Sequence, residues 1–378
     1  MAQNHSAHET TVSAGRMSSS SSGAGREQWM DTVKGAAIVL VVFGHSIGVL
    51  TQWGWDVFGG WSQINVLMGQ WRMPVFMLVA GFFVTRSMTK YGKRFWRLRP
   101  LNMVWLYVFW TAVYFVAYPV IGAISRGRTA GEMFALIVEK TLLFDSYLWF
   151  LLALAIYYAV QGLLGTKPVP WAVALAFLVF LYFVPGMVDE VSWGTNQLGT
   201  NWLFFLVGAW WSQSIRSWVA QIKPWQGVMW CVVCLAAILL WMPTRDVPVL
   251  QHFGGILPPL TAVPAGLWVL SRLDGKPGMG WARYVGTRSL SVYVLHPIVL
   301  QLLIAALSVV VLNPTTSALA TPVTWIGVPV LMVIALLICL VIQRLTDRVP
   351  YVWGLPAPRT APKRITGEVV TAQTNANR

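Results

Sequence analysis

Apolar segments of near-bilayer length follow one another along this chain, and they constrain its fold more than any other feature. They cover approximately residues 32–51, 64–84, 100–124, 147–165, 169–187, 199–216, 225–242, 253–271, 284–312 and 323–345. A helix needs roughly 20 apolar residues to cross a hydrocarbon core. Backbone polar groups find no water there, so only helices and closed barrels span it. The pattern therefore predicts an all-α, polytopic membrane bundle of about ten transmembrane helices. Composition agrees, with 56% hydrophobic and 11% charged residues. The 22 tryptophans suit the interfacial belts, where indole sits half in lipid and half among headgroups. The segments nearly consume the 378 residues, so no sizeable soluble domain is expected. Residues 1–26 and 354–378 are polar and rich in small residues or proline. They read as disordered cytoplasmic tails around one membrane domain at 27–353. The first twenty-five residues lack the apolar core of a secretory signal. No internal repeat supports an inverted-repeat transporter.

Basic residues set the expected orientation. The loop between the second and third segments holds Arg86, Lys90, Lys93, Arg94, Arg97 and Arg99. Lys167, Arg216, Lys223, Arg272, Lys276 and Arg283 fall on the same side. The opposite loops hold Arg126, Arg128, Lys140 and Arg245, mixed with Asp56, Asp189, Glu190 and Asp246. Lysine and arginine mark the cytoplasmic side, so both termini are expected there, in a multi-pass protein of the plasma (inner) membrane. The net charge of +14 is largely this bias, and no nucleic-acid partner is expected. The loop at 86–99 suits anionic headgroups, and with them a phosphorylated cytosolic ligand. Cys231, Cys234 and Cys339 lie in apolar runs without nearby histidine or acidic partners, so no metal site is expected.

Ionisable residues at membrane depth are costly, and they usually face a cavity or a partner. His45 lies eleven residues in from Lys34, on the same helix face to within roughly 20°. Asp31 falls within roughly 40° of that face. Arg72 lies fourteen residues from Arg86, and His296 thirteen from Arg283. At 1.5 Å per residue, all three side chains sit roughly 16–21 Å from the basic surface. Shared depth predicts a shared polar cavity. Pro74 and Pro297 add freed carbonyls, those of Gln70 and Tyr293, which need protein or water around them. A purely structural role in knitting helices together is the competing reading for Arg72 and His296. Gly44 and Gly48 flank His45 in a pattern that predicts close helix approach.

These residues sit in motifs. Asp31-x-x-Lys34-Gly35-x-x-Ile38 continuing to Gly44-His45 resembles the first-helix motif of the membrane-bound acyltransferase 3 family, with lysine where arginine is commoner. Met73-Pro74-Val-Phe-x-Leu-x-x-Gly81-Phe82 is similar to its second-helix motif. Leu148-Trp149-Phe150-Leu151, Phe204-Phe-Leu-Val-Gly208 and Tyr284-Val-Gly286-x-x-Ser289 continuing to Tyr293-x-Leu-His296 resemble later ones, in order, over roughly residues 26–345.

The resemblance implies transfer of an acyl group, usually acetyl, from cytosolic acyl-coenzyme A to a hydroxyl of an envelope carbohydrate or glycolipid. Acyl-coenzyme A is then a cosubstrate, with no bound cofactor expected. His45 would act as general base or acyl carrier, with Arg72 at the oxyanion. Asp31 and Lys34 complete the expected catalytic set, with Lys34 and the 86–99 loop at the donor phosphates. Arg94, Arg97 and Arg99 are the donor-binding candidates. His296, Tyr293 and Trp149 are expected to bind the acceptor or support the reacting groups. No fused esterase-like domain is visible, so the acceptor is reached from the bundle itself or through other envelope biosynthesis proteins. A transporter or flippase of an envelope glycolipid is the rival reading. It would use the same polar layer without covalent chemistry.

Overall fold

The structure is a computed structural model that describes residues 28–125, 128–183, 192–244, 247–311 and 317–356. These residues form helices and no strand. In chain order they are α1 (Gln28–Gln52), α2 (Gly59–Gly81), the short α3 (Val84–Tyr91) and α4 (Phe95–Leu98), α5 (Pro100–Ile124), α6 (Ala130–Leu142), α7 (Trp149–Leu164) and α8 (Pro170–Phe183). They continue with α9 (Trp193–Gln221), α10 (Pro224–Trp241), α11 (Pro248–Leu273), α12 (Gly280–Gly286), α13 (Ser289–Val310), α14 (Ala320–Pro322) and α15 (Val328–Thr346).

Every expected apolar segment falls on helix among the described residues; the end of the segment 169–187 lies outside them. Among the described residues, six helical stretches are long and apolar enough to cross a membrane: Gln28–Gln52, Gly59–Ile124, Pro224–Thr244, Gly254–Leu273, Ser289–Val310 and Ala320–Thr346. The second holds two of the expected segments, on α2 and α5. α7 and α8 are apolar but only 16 and 14 residues long. α9 has 29 residues but breaks at Trp211 (φ −111°, ψ 19°).

Local chemistry explains the helix ends. Proline opens α5, α10 and α11, where its missing N–H is no loss. Thr129 and Glu132 close a reciprocal capping box on α6. Gly165, at φ +87°, stops α7 in a conformation open to glycine, and its N–H bonds the Gln161 carbonyl at 3.0 Å.

Some boundaries depart from expectation. The segment 284–312 is two helices, because Arg288 interrupts it and folds back 3.9 Å over the Tyr284 ring. The last segment opens with a π turn at Val323–Gly327 ahead of Pro329. That proline has no N–H for the Trp325 carbonyl, which instead accepts from Trp61 Nε1 at 2.8 Å. The expected tails lie largely outside the described residues. Where the C-terminal one begins, Leu355 is docked: its N–H donates to Asn102 Oδ1 at 2.7 Å. The loop at 86–99 is mostly helical, in α3, a 3-10 turn at Gly92–Arg94, and α4.

α1 runs through the middle of the bundle against α2, α11, α12, α13 and α15. Its tightest neighbour is α12. A Cβ on Gly35 would fall 1.8 Å from the Ala282 carbonyl oxygen, and one on Gly286 1.7 Å from that of Asp31. α2 and α9 approach in the same way at Gly81 and Gly208. In lipid, where apolar burial gives little drive, such backbone contact is what holds helices together.

Candidate active site

α1, α2 and α13 bring the three deep ionisable side chains together. The His45 and His296 rings lie 5.0 Å apart between centroids, tilted at 45°. Arg72 reaches α1 through Nη1, which donates to the Leu40 carbonyl at 3.1 Å and to Asn65 Oδ1 at 2.6 Å. It passes over Gly44, where a Cβ would meet Nη1 and Asn65 Oδ1 at 2.5 Å. Glycine is therefore needed at 44 for the guanidinium to lie beside His45. Gly48 differs from expectation. Nothing lies within 4 Å of where its Cβ would be, and the residue is exposed. Its neighbours withdraw from this turn of α1, which leaves the helix open there.

His296 is fully buried. Its Nδ1 lies 3.0 Å from the Val292 carbonyl, one turn back in α13. A carbonyl only accepts, so Nδ1 carries the proton, and in the neutral ring Nε2 holds the lone pair. That Nε2 is buried and has no hydrogen-bond partner among the described residues. His45 is half-buried, between His296 and the edge of Tyr147, whose ring centroid is 5.3 Å away. Tyr293 joins the group on the other side, 6.1 Å from His296. Its hydroxyl accepts from the Phe150 N–H at 3.1 Å and donates to the Tyr147 carbonyl at 2.5 Å.

A cavity of about 250 Å³ leads to this group from the Lys34 end of α1. Lys34 and Arg99 stand in its lining, Met73, Phe76 and Leu154 line its apolar walls, and Val41 and Tyr293 lie deepest on α1 and α13. Val41 is one helical turn short of His45. Lys34 pairs with Asp31 at 2.7 Å, with Asp31 the more buried partner. Arg99 is fixed by Ser87 Oγ at 3.1 Å and lies 5.9 Å over the Tyr158 ring. The shape suits a long, mostly apolar ligand with an anionic head, since two cations mark one end and the walls are greasy.

The expected site residues thus separate into two sets. Lys34, Arg99 and Tyr293 line the cavity, Asp31 pairs with Lys34 at its mouth, and His45, Arg72 and His296 cluster just beyond its inner end. Arg94 and Arg97 do not line the cavity and are exposed on the surface. Trp149 turns away, edge-on to Trp193 at 5.6 Å, beside a separate recess formed with Phe144, Leu152 and Leu198. Tyr147, two residues earlier, takes the place beside His45. Sequence reasoning missed Tyr147 and Asn65. Asn65 lies seven residues before Arg72, two turns along one helix face, and that spacing was the available signal. Nothing in the sequence singled out Tyr147.

The Escherichia coli (strain K12) inner membrane protein YcfT is 21% identical, over 73% of this chain and 80% of that protein. No solved structure matches the chain. The family model described as an acyltransferase domain matches residues 27–344, which takes in α1 through most of α15 and every residue of the cluster. This membrane protein, with its histidine pair at the inner end of a cation-rimmed cavity, belongs to the acyltransferase 3 family.

Proposed function

We propose that this acyltransferase moves an acyl group, acetyl in the simplest case, from cytosolic acyl-coenzyme A to a hydroxyl of an envelope carbohydrate or glycolipid. In this reading the bundle crosses the inner membrane with ten helices and keeps both termini in the cytoplasm, so the Lys34 end of α1 is the cytoplasmic end. One observation carries the proposal: the cavity enters past Lys34 and Arg99 and stops one turn below His45, which is paired with the buried His296. Lys34 and Arg99 hold donor phosphates, and the apolar walls take the pantetheine arm. The thioester carbonyl then lies near Val41 and Tyr293, within reach of His45.

The chemistry follows from the neighbours. His45 takes the proton from the acceptor hydroxyl as its oxygen adds to the thioester carbonyl. The oxyanion that forms faces the Arg72 guanidinium, held in place by Asn65 and the Leu40 carbonyl. Collapse breaks the C–S bond, and the coenzyme A thiolate leaves with the proton held by His45. His296, fixed by its own helix carbonyl, holds the His45 ring in place. In the two-step variant the His45 nitrogen itself carries the acyl group between donor and acceptor. Rapid acid quenching of enzyme with labelled acetyl-coenzyme A separates the two, because only the second leaves label on the protein.

The test is paired. Mass spectrometry of envelope carbohydrate from cells with and without the gene should differ by one acyl mass per modified sugar. Membranes holding the protein should release free thiol from acetyl-coenzyme A when acceptor is present. Unmodified carbohydrate together with no thioester consumption would remove the acyltransferase reading and leave a transporter of unmodified glycolipid.

A further inference from the structure

The cavity accounts for the Lys34 half of α1 and leaves the other half unexplained. Lys34, Val41, His45, Gly48 and Gln52 fall within roughly 60° of one another around the helix, so they form one stripe. From Lys34 to Gln52 the stripe is roughly 27 Å long, close to the roughly 30 Å thickness of a hydrocarbon core. Its lower part lines the donor cavity and His45 stands in the middle. Beyond His45, the stripe is open at Gly48 and ends in a polar cluster.

That cluster joins three parts of the fold. Gln301, fully buried on α13, donates through Nε2 to Gln52 Oε1 at 2.9 Å and accepts from Trp53 Nε1 at 2.8 Å. Arg128, from the α5–α6 connection, donates to the Gln52 carbonyl at 3.0 Å and lies 5.3 Å over the Trp53 ring. The Tyr147 hydroxyl also faces Gln301, while its ring touches His45. Gln52, Trp53, Arg128 and Tyr147 are each half-buried, so the cluster is reachable.

Resting on the acyltransferase reading, we propose that this open face of α1 is the acceptor site, and that a carbohydrate enters it at Gly48 from the side opposite the donor cavity. Amides and a tyrosine hydroxyl both donate and accept, which matches sugar hydroxyls group for group. An indole beside them offers an apolar face to the C–H side of a sugar ring. Among the described residues of the cluster no amine- or phosphate-specific arrangement competes: their cation, Arg128, is already engaged by a carbonyl and a ring. The acceptor hydroxyl then meets His45 from one side as the thioester meets it from the other, with Tyr147 between them. Tyr147 suits that position, since Tyr293 at the donor cavity holds its carbonyl and Gln301 in the cluster faces its hydroxyl.

Gly48 gives a direct test in the full chain, because a side chain there has open space to occupy. Gly48→Trp should abolish labelling of endogenous envelope carbohydrate from radioactive acetyl-coenzyme A in membranes. Acetyl-coenzyme A should still raise the thermal midpoint of the variant as it does for the wild type. Wild-type labelling in Gly48→Trp would overturn the proposal. Independently, Gly48→Cys, with Cys231, Cys234 and Cys339 changed to alanine, should react with a charged, membrane-impermeant maleimide added to intact cells. Reaction only in inside-out vesicles, or in neither preparation, would also overturn it. Should the wild type itself transfer no label, the acyltransferase reading fails alone, and the maleimide pattern still reports whether the face opens outward.

Discussion

The most apolar stretches of α1 and α13 match that of α10 in mean hydropathy, yet the two inner helices and the outer ones sit differently in the bundle. The most apolar window of α1 and of α13 is 61% buried, against 17% for those of α10 and α15. The outer pair turns Val232, Leu235 and Leu239, and Val333, Leu337 and Val341, outward at helical spacing. Its polar residues stay at helix ends, as with Gln226 and Gln343. The inner pair carries His45, His296 and Gln301 along its length, and spends its burial on contacts to other helices. Hydropathy alone does not separate anchor from machinery in a membrane bundle. The separating mark is where an otherwise apolar helix tolerates a group that lipid would reject.

The sharpest way to break this contrast is at His45. His45→Ala should lower acyl transfer by at least about 100-fold, the scale of a lost general base, while the folded yield in detergent stays at wild type. Near-normal turnover of the purified variant would return α1 to the rank of an anchor. Arg72→Met should follow, with a loss of about 100-fold as the oxyanion loses its partner. Combined with His45→Ala it should add little, because parts of one catalytic unit are not lost twice. Additive losses in folded double variants would mean that Arg72 serves packing.

Gly286→Ala should act on stability rather than chemistry. The added methyl falls on the Asp31 carbonyl, and overpacking of this kind costs about 1–3 kcal/mol, read as a lower thermal midpoint. At the cavity mouth, Arg99→Gln should raise the donor KM about tenfold, about 1.4 kcal/mol, with kcat nearly unchanged. Arg94→Gln and Arg97→Gln should change it less than about twofold, as exposed charges do. Equal effects at all three would place the whole basic loop at the donor. The smallest effect belongs to the outer helices: Leu239→Ala and Leu337→Ala should each shift stability by less than about 0.5 kcal/mol, since both side chains leave one greasy surrounding for another.

The sequence was legible where a single helix decides the answer. Segment length gave the helices, and rise per residue put His45, Arg72 and His296 at one depth, where the structure brings them together. It was silent where the answer depends on rotation between helices. Depth does not say which way Trp149 points, and the turn ahead of α7 sends Tyr147 inward and Trp149 away. A count of positive charge could not separate Arg99, which lies on Tyr158, from Arg94 and Arg97 on the outer surface. Gln52 and Gln301 carry no motif in the sequence, and only the fold sets one against the other. Gly44 and Gly48 look alike in sequence, yet Arg72 and Asn65 of α2 fill the space over one and nothing approaches the other.

The Gly35 and Gly286 contacts have a mechanical consequence. With backbone against backbone and no side chain between, α1 and α12 neither slide nor rotate past each other without collision. They move as a single strut, and the histidine rides on it. Any widening of the cavity then falls to the opposite wall, where α2 gives way to α3 at Phe82 and Phe83, the latter in the cavity lining. A distance marker spanning α1 and α12 should hold one value through a turnover, and one spanning α1 and α3 should not.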